Sequence, residues 1–392
     1  MLNRLSAIAA AAGAVAMLGG VAQAADVKVG YSLGRTGILA AGVSVQERAY
    51  VLWKEQVNAR GGLDIGGMEK RRIGDFISYD DQSDAGKIPQ IYEKLINDDK
   101  VDLLLAPYAT YLHVAITGVV EKNRFPMVGN TAASVLVRDL NARYMFFTEV
   151  LPDDRSVEMV EFLKSQNVKR AAMFTLQLSV NLEMKKFTKP LLEEAGIELV
   201  IDQEYPPDIK DFTSIVNAVK QADVDAVLGN SYPADSIMYM DKARELNVTA
   251  PIQFLLIGPS IPFFAEKYGA NLEGLISVGQ WTKDATFTGA REFHDAYLAR
   301  WDEKPDYLDS VIAYVSVQIL EEAVAQAGLD REKLRDAIAG GSFDTIMGLV
   351  EFKGNSNVTT TGGLLQFQNG DNAIIWPPQI ATADFIAKPA WQ

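Results

Sequence analysis

The sequence predicts an α/β protein made of two doubly wound units, each with a parallel sheet. Short β-branched runs alternate with amphipathic helical segments between residues 27 and 128, which is the order typical of a parallel sheet. The same alternation starts again at Arg170, after a break near residues 144–154. Domains commonly hold about 100–200 residues, so a chain of 392 residues suits two of them.

In the first unit, apolar β-branched runs predict strands, and apolar residues on one helical face predict helices. Gly34 interrupts the first strand, and Gly61-Gly62 ends the first helix. The predicted order is strand 27–33, helix 44–59, strand 73–79, helix 85–97, strand 101–105, helix 112–123 and strand 125–128.

The second unit follows the same plan, although the two units are too dissimilar in sequence to be called a repeat. Its predicted elements are strand 170–175, helix 182–195, strand 197–205, helix 212–221, strand 224–229, helix 236–245 and strand 252–257.

A third region is predicted to contain helices 293–301, 310–326 and 331–339. Residues 348–352 and 363–368 alternate like a β-hairpin, and residues 373–376 form a further strand. Helices that return after the second unit suggest that the chain crosses back to the first unit. The final hairpin would then cross again.

The first 24 residues have the layout of a secretory signal peptide. Arg4 gives a positive start, residues 5–21 are small and apolar, and Ala22-Gln23-Ala24 forms a cleavage box. A membrane anchor is the alternative, but the apolar run is rich in Ala and Gly, and about 20 strongly apolar residues are needed to span a bilayer. The absence of Cys at the cleavage site argues against a lipid anchor. We therefore expect an exported, soluble protein of residues 25–392.

Composition excludes several kinds of function. The formal net charge of −14 argues against nucleic acid or an anionic membrane as partner. The chain has no cysteines, which excludes disulfides, zinc–thiolate sites and thiol nucleophiles. Its two histidines, His113 and His294, are expected to be helix-surface or capping residues rather than members of a catalytic triad.

The acidic run at residues 80–84 resembles part of a calcium loop. It lacks the glycine and the closing glutamate of an EF-hand, so a solvated turn is the favoured interpretation. We expect no cofactor and no metal.

Short motifs occur in a defined order along nearly the whole exported chain. They are Val27-Lys28-Val29-Gly30, Val57-Asn58-Ala59-Arg60-Gly61-Gly62, Tyr79-Asp80-Asp81, Lys210-Asp211-Phe212, Tyr232-Pro233, Gly258-Pro259 and residues 343–348. Each motif is weak alone, but their order and spacing together resemble a type I periplasmic binding protein of the branched-chain amino-acid (leucine-binding) class.

The resemblance implies two Rossmann-like lobes joined by a three-strand hinge, with a ligand in the cleft between them. Lobe I would hold residues 25–148 and 283–346, and lobe II residues 149–282 and 347–392. The resemblance also implies a monomer without enzymatic activity, located in the periplasm, that delivers a small carboxylate or amino acid to an inner-membrane ABC permease. The alternative function is a sensory module of the same fold that presents the solute to a membrane receptor.

The resemblance further implies that lobe I contributes two loops to the ligand site. The first holds Tyr108, Ala109 and Thr110. Thr110 stands where similar proteins place a hydroxyl that binds the ligand carboxylate, although it also suits a helix N-cap. The second loop is Thr131-Ala132-Ala133-Ser134. Relatives carry threonine where this chain has Ala133, which makes Ser134 the candidate replacement.

Lobe II would contribute Ser231, Tyr232 and Ser260. Amino-acid binders of this class usually carry a glutamate directly after the Gly-Pro pair, where this chain has Ser260, and that glutamate binds the ligand's α-ammonium group. The tyrosine-glycine pair usual after the first lobe II strand is replaced by residues 177–181. A buried ammonium group without a carboxylate partner is costly.

Two classes of ligand therefore stay open. The first is a carboxylate with an apolar or aromatic body and no amino group, for which stacking surface could come from aromatic side chains: Tyr108, Tyr111, Tyr232, Phe263 and Phe264. The second is an amino acid whose ammonium group is bound by another acid, such as Asp235.

Overall fold

The computed structural model describes residues 25–40 and 42–392, so the predicted signal peptide at residues 1–24 lies outside the described residues. As far as residue 147 the elements are β1 (Val29–Leu33), α1 (Val43–Ala59), β2 (Leu63–Ile65), β3 (Glu69–Arg71), β4 (Ile77–Asp80), α2 (Ile88–Asn97), β5 (Leu103–Leu104), α3 (Thr110–Lys122), β6 (Met127–Gly129), α4 (Leu136–Asp139) and β7 (Met145–Phe147).

The chain then forms a second series of alternating elements. These are α5 (Pro152–Ser165), β8 (Arg170–Leu176), α6 (Ser179–Glu194), β9 (Glu198–Tyr205), α7 (Thr213–Ala222), β10 (Ala226–Asn230), α8 (Pro233–Glu245), β11 (Ile252–Leu255), α9 (Pro262–Tyr268) and β12 (Leu275–Val278). The last elements are α10 (Ala290–Trp301), α11 (Asp309–Ala327), α12 (Arg331–Gly340), β13 (Ser342–Thr345), β14 (Gly348–Lys353), β15 (Ser356–Asn357), β16 (Leu364–Gln368) and β17 (Asp371–Trp376).

The first lobe is built on two main sheets and a short antiparallel pair of β2 and β3. One has the order β4-β1-β5, with both neighbours parallel to β1, and the other has the order β13-β14-β15-β7-β6. Apolar side chains of β1, α1 and α11 form one buried cluster, while α2, α3, β5 and β6 contribute to another. Helices thus cover the sheet region on two sides, as the predicted doubly wound plan requires.

The second lobe is built on one seven-stranded sheet with the order β17-β16-β12-β11-β10-β8-β9. Strands β8 to β12 are parallel, and the hairpin β16–β17 continues the sheet with antiparallel pairing. The strand–helix alternation predicted for both units, and hence the two-lobed α/β class, is confirmed.

The hairpin predicted between residues 348–352 and 363–368 is wrong. Strand β14 pairs with β13 and β15 in the first lobe, whereas β16 pairs with β12 and β17 in the second. An alternating apolar pattern identifies a strand but not its partner, because pairing is set by the whole fold. The lobe boundaries stay a prediction. The observed pairing nevertheless assigns residues 348–357 to lobe I, whereas the predicted boundaries placed them in lobe II.

The chain passes between the lobes through residues 148–151, 279–289 and 358–363. These crossings are irregular segments: the first runs from β7 to α5, the second from β12 to α10 and the third from β15 to β16. Two of them are joined where the Gly279 N–H donates to the Gly363 carbonyl at 3.0 Å. Within the described residues, no helix combines the length and the apolar character needed to cross a bilayer.

Candidate functional site

Both lobes have a topological switch point, where the chain winds to opposite sides of a central strand. Strand β1 lies between β4 and β5, and β8 lies between β9 and β10. Ligands of open α/β sheets bind beyond the carboxyl ends of the strands at such points. Tyr108, Ala109 and Thr110 follow β5, while Ser231 and Tyr232 follow β10. Five of the residues predicted from the sequence therefore lie at the two switch points.

Thr110 joins the two predicted loops of the first lobe. Its Oγ1 accepts a hydrogen bond from the Ala133 N–H at 3.0 Å. Because the hydroxyl is used only as an acceptor among the described residues, its hydrogen remains available to a ligand. Thr110 is also the first residue of α3, where backbone N–H groups have no partner within the helix and favour an anion.

Ala109 adopts a backbone conformation that is unusual for a residue with a Cβ atom. Its φ of 77° and ψ of 146° cost about 1–3 kcal/mol in a non-glycine residue. The conformation is held by a hydrogen bond from its N–H to Thr131 Oγ1 at 3.0 Å, and by His113 Nδ1, which lies 2.9 Å from its carbonyl oxygen. Such strain is typical of backbone that is positioned for binding.

A buried polar network supports these loops from below. Gln46 Nε2 donates to the Ala106 carbonyl at 3.0 Å, and the Tyr50 hydroxyl donates to the same oxygen at 3.1 Å. Asn130 Nδ2 donates to the Tyr50 hydroxyl at 2.7 Å, and Thr131 Oγ1 donates to Gln46 Oε1 at 3.3 Å. The Thr131 hydroxyl is thus used within the lobe, where it positions the loop.

Ser134 and Ala132 differ from Thr110 in what they can offer a ligand. Ala132 is fully buried. The Ser134 hydroxyl donates to Glu183 Oε1 of the second lobe at 2.6 Å, and the Val135 N–H donates to Glu183 Oε2 at 3.0 Å. The replacement predicted for the missing threonine is therefore engaged by the opposite lobe in this structure.

The second-lobe serines make hydrogen bonds mainly within their own lobe. Ser231 Oγ lies 2.8 Å from Ser236 Oγ, which donates to the Ile257 carbonyl at 2.7 Å. Ser260 is 5% exposed, and its backbone carbonyl accepts from Asn372 Nδ2 at 3.2 Å. These bonds bring the loop after β10 and the loop after β11 together.

The acid proposed as an alternative ammonium partner, Asp235, closes the first turn of α8. Its Oδ2 accepts from the Tyr232 N–H at 3.0 Å and from the Tyr205 hydroxyl at 3.1 Å. This oxygen is therefore used within the second lobe.

Phe264 is unsuited to ligand stacking, because it is 1% exposed and packs in the apolar core of the second lobe.

Sequence reasoning missed Asp309, the first residue of α11. The Tyr108 hydroxyl donates to Asp309 Oδ2 at 2.6 Å. Burial, followed by the neighbouring Asp306, raises the pKa of Asp309 to about 8. Burial and then the charge of Asp309 raise the pKa of Tyr232, which belongs to the second lobe. The only signal in the sequence was an acid at the start of a predicted helix.

Both histidines are buried, so their expected location on helix surfaces is wrong. His113 is fully buried between α3 and β6, and burial lowers its pKa to about 4. His294 is 4% exposed and its Nδ1 lies 2.9 Å from Asp295. The acidic turn after β4 is exposed or partly exposed at four of its five residues, as expected of a solvated turn, but Asp81 is fully buried and accepts from Ser32 Oγ at 2.8 Å.

Comparisons with known proteins agree with this architecture. The family model described as "Periplasmic binding protein" matches residues 26–371. A relative from Brucella suis, named Leu/Ile/Val-binding protein homolog 7, is 26% identical over 392 residues, with 94% of this chain and 96% of the relative covered.

Two solved structures share the fold. The branched-chain amino acid substrate-binding protein LivJ of Streptococcus pneumoniae, in complex with isoleucine, is 20% identical with a TM-score of 0.77, covering 90% of this chain and 100% of that one. A solute-binding protein of R. palustris, in complex with benzoate, is 21% identical with a TM-score of 0.75, covering 93% and 99%. The chain therefore belongs to the periplasmic binding protein family, as a type I member of the branched-chain amino-acid class.

Proposed function

We propose that this protein captures a small carboxylate-bearing solute between its two lobes in the periplasm and delivers it to an inner-membrane ABC permease. The observation that carries the proposal is the free hydroxyl hydrogen of Thr110 at the N-terminus of α3. A hydroxyl donor and unpartnered N–H groups at a helix N-terminus together favour a carboxylate.

The second lobe supports the proposal from the opposite side. Tyr232 follows β10, and its pKa is raised by burial and then by the charge of Asp309 of the first lobe. Contacts of one ligand with both lobes stabilise the closed state, because only that state offers them together. A permease can then distinguish loaded from empty protein.

Known ligands of similar proteins favour this class of solute. The S. pneumoniae protein is in complex with isoleucine and the R. palustris protein with benzoate. Both ligands carry a carboxylate, and only isoleucine carries an ammonium group. A carboxylate is the group that both ligands share, and it is also the group that the donors around Thr110 favour.

A thermal-shift screen of the purified protein tests the proposal. The probes are amino acids and matched carboxylic acids that lack the amino group, with the corresponding amides and alcohols as controls. Specific binding to the native state raises the melting temperature. We expect shifts from members of the carboxylate set and none from the amides or alcohols. Equal shifts from amides, or no shift from any carboxylate, would contradict the proposal.

Delivery to a permease is tested separately. Radiolabelled ligand identified by the screen should enter cells that carry the protein and its transporter, and uptake should stop when the gene for this protein is deleted. Unchanged uptake, combined with altered transcription in response to the ligand, would instead favour the sensory alternative.

A further inference from the structure

Asp309, the first residue of α11, is hydrogen-bonded to residues of the loop after β5 and of the connection before α11. The Tyr108 hydroxyl, from the loop after β5, donates to its Oδ2 at 2.6 Å. After burial, the charge of Asp309 also contributes to the raised pKa of Tyr232 at the start of α8. Asp309, Tyr108 and Tyr232 are each partly exposed. Because Tyr108 and Tyr232 follow strands at the switch points of the two lobes, a ligand held between those points could reach the Asp309 carboxyl group.

The charges around Asp309 are negative. Asp306 lies in the connection before α11 and accepts from the N–H groups of Asp309 and Ser310. Glu149, from the crossing segment 148–151, also disfavours the ionised form of Asp309, although Arg155 pairs with Glu149 at 2.7 Å. Within residues 25–40 and 42–392, no Lys or Arg forms an ion pair with Asp309, and Tyr108 is its one side-chain donor.

An enclosed carboxyl group among acids favours a positively charged partner. We propose that Asp309 is the residue by which the cleft selects ligands that carry a positively charged nitrogen in addition to their carboxylate. This inference rests on the proposed function, since it assumes that the carboxylate is bound around Thr110. It assigns the ammonium site to the first lobe, in place of the second-lobe position where this chain has Ser260.

The assignment explains how a cleft without the usual glutamate could still accept a zwitterion. Ser260 offers no charge, and the Asp235 carboxylate is used to close α8. Asp309, by contrast, accepts from one side-chain donor among the described residues and is partly exposed. The rings of Tyr108 and Tyr232 would add a favourable surface for a cation.

Calorimetric measurement of binding affinity tests the proposal, with probes that share a carbon skeleton within each series. The probes are hexanoate, 2-aminohexanoate, 6-aminohexanoate and lysine, with 3-phenylpropanoate and phenylalanine as an aromatic pair. They differ in the presence and position of a positively charged nitrogen. We expect at least one member with such a nitrogen to bind 10-fold or more tightly than its plain acid. Asp309→Asn should remove most of this preference, a loss of about 10- to 100-fold.

A second readout separates recognition from a structural effect. Burial raises the pKa of Asp309 to about 8, so we expect the free protein to hold a proton there at pH 7. Binding of a cation favours the ionised form, so about one proton should be released per ligand, measured as the dependence of binding enthalpy on the buffer. Asp309→Asn should release none. Asp302→Asn, which removes an exposed charge at the end of α10, should behave as the wild type.

The outcomes distinguish the two proposals. If plain acids bind as tightly as the charged probes, with no proton release and no effect of Asp309→Asn, the proposed function stands and this inference is wrong. If none of the carboxylates binds, the proposed function itself fails. If charged probes are preferred but Asp235→Asn rather than Asp309→Asn removes the preference, the ammonium site belongs to the second lobe.

Discussion

The carboxylate of Glu183 and the hydroxyl of Ser134 form a 2.6 Å hydrogen bond between the two lobes. Glu183 lies on α6 of the second lobe, and Ser134 lies in the loop after β6 of the first. The second oxygen of Glu183 accepts from the Val135 N–H at 3.0 Å. Ser134 is 1% exposed, so water competes weakly for this contact. The pair therefore stabilises the approach of the lobes.

Glu183→Ala should shift the protein towards a more open state. The substitution removes two charge-assisted hydrogen bonds that exist only when the lobes meet. We expect a larger radius of gyration in small-angle scattering of the free protein, and a 5- to 10-fold loss of ligand affinity because closure becomes less favourable. Glu194→Ala, an exposed position at the other end of α6, is the matched control. An unchanged radius of gyration would show that Glu183 does not contribute to closure.

Thr110→Val should weaken binding of every carboxylate. Valine keeps the shape but removes the hydroxyl that is available to a ligand, and a hydrogen bond to a charged group is worth about 1.5–3 kcal/mol, or about 10- to 100-fold in affinity. The substitution also leaves the Ala133 N–H without its acceptor, so melting temperature must be measured in parallel. Thr110→Ser retains both hydrogen bonds and should bind within a few-fold of the wild type. Loss of affinity in the serine variant would mean that the methyl group matters instead.

Much of the fold could be predicted because local patterns decide it. Buried strands such as β8 and β10 are continuous apolar runs, and the predicted bounds differ from the observed ones by only one or two residues. Helix α5 was missed because its buried face includes Arg155 and Ser156, which interrupt the apolar pattern of an amphipathic helix. The predicted hairpin failed for a different reason, since β14 and β16 are separated by a crossing between the lobes.

The site could be predicted only in part. Thr110 and Tyr232 lie at switch points, and such loops are marked in the sequence by the ends of strands. Asp309 is 201 residues from Tyr108 along the chain, although the two side chains are hydrogen-bonded. No local sequence pattern connects them. The positioning role of Thr131 could not be predicted from the sequence either, because its hydrogen-bond partners Gln46 and Ala109 come from other parts of the chain.

His113 should make stability depend on pH between about 4 and 6.5. Burial lowers its pKa to about 4, below the value of about 6.5 in the unfolded chain. The contribution of neutral His113 to the free energy of unfolding is therefore fully present above pH 6.5. It is lost as the pH falls, because the unfolded state binds a proton at a higher pH than the folded state does. The expected loss is about 3 kcal/mol by pH 4.

His113→Asn is the variant that tests this dependence. Its amide can replace Nδ1 as the donor to the Ala109 carbonyl, but it does not titrate. The variant should be less stable than the wild type at pH 7, owing to the smaller side chain, and the difference should shrink towards pH 4. The measurement is the free energy of unfolding in urea at several pH values. A difference that stays constant with pH would contradict the assignment.

The buried ion pair of Glu149 and Arg155 should be essential at the first crossing between the lobes. Their side chains are 5% and 6% exposed, and Arg155 Nη2 lies 2.7 Å from Glu149 Oε1. Arg155 Nε also donates to the Val150 carbonyl at 2.9 Å, which fixes the backbone of the crossing. Glu149→Gln leaves the arginine charge buried without a counter-charge, and breaking such a pair costs about 3–5 kcal/mol.

A double-mutant cycle separates the pair from its surroundings. We expect Glu149→Gln and Arg155→Met each to lower the free energy of unfolding substantially, and the double variant to lose less than the sum of the two, because neither charge is then left alone. Glu161→Gln on the same helix, whose exposed pair with Lys164 spans 2.7 Å, should change stability by about 0.5 kcal/mol or less. Additive losses in the double variant would show that the two residues act independently, Arg155 through the Val150 carbonyl and Glu149 through packing.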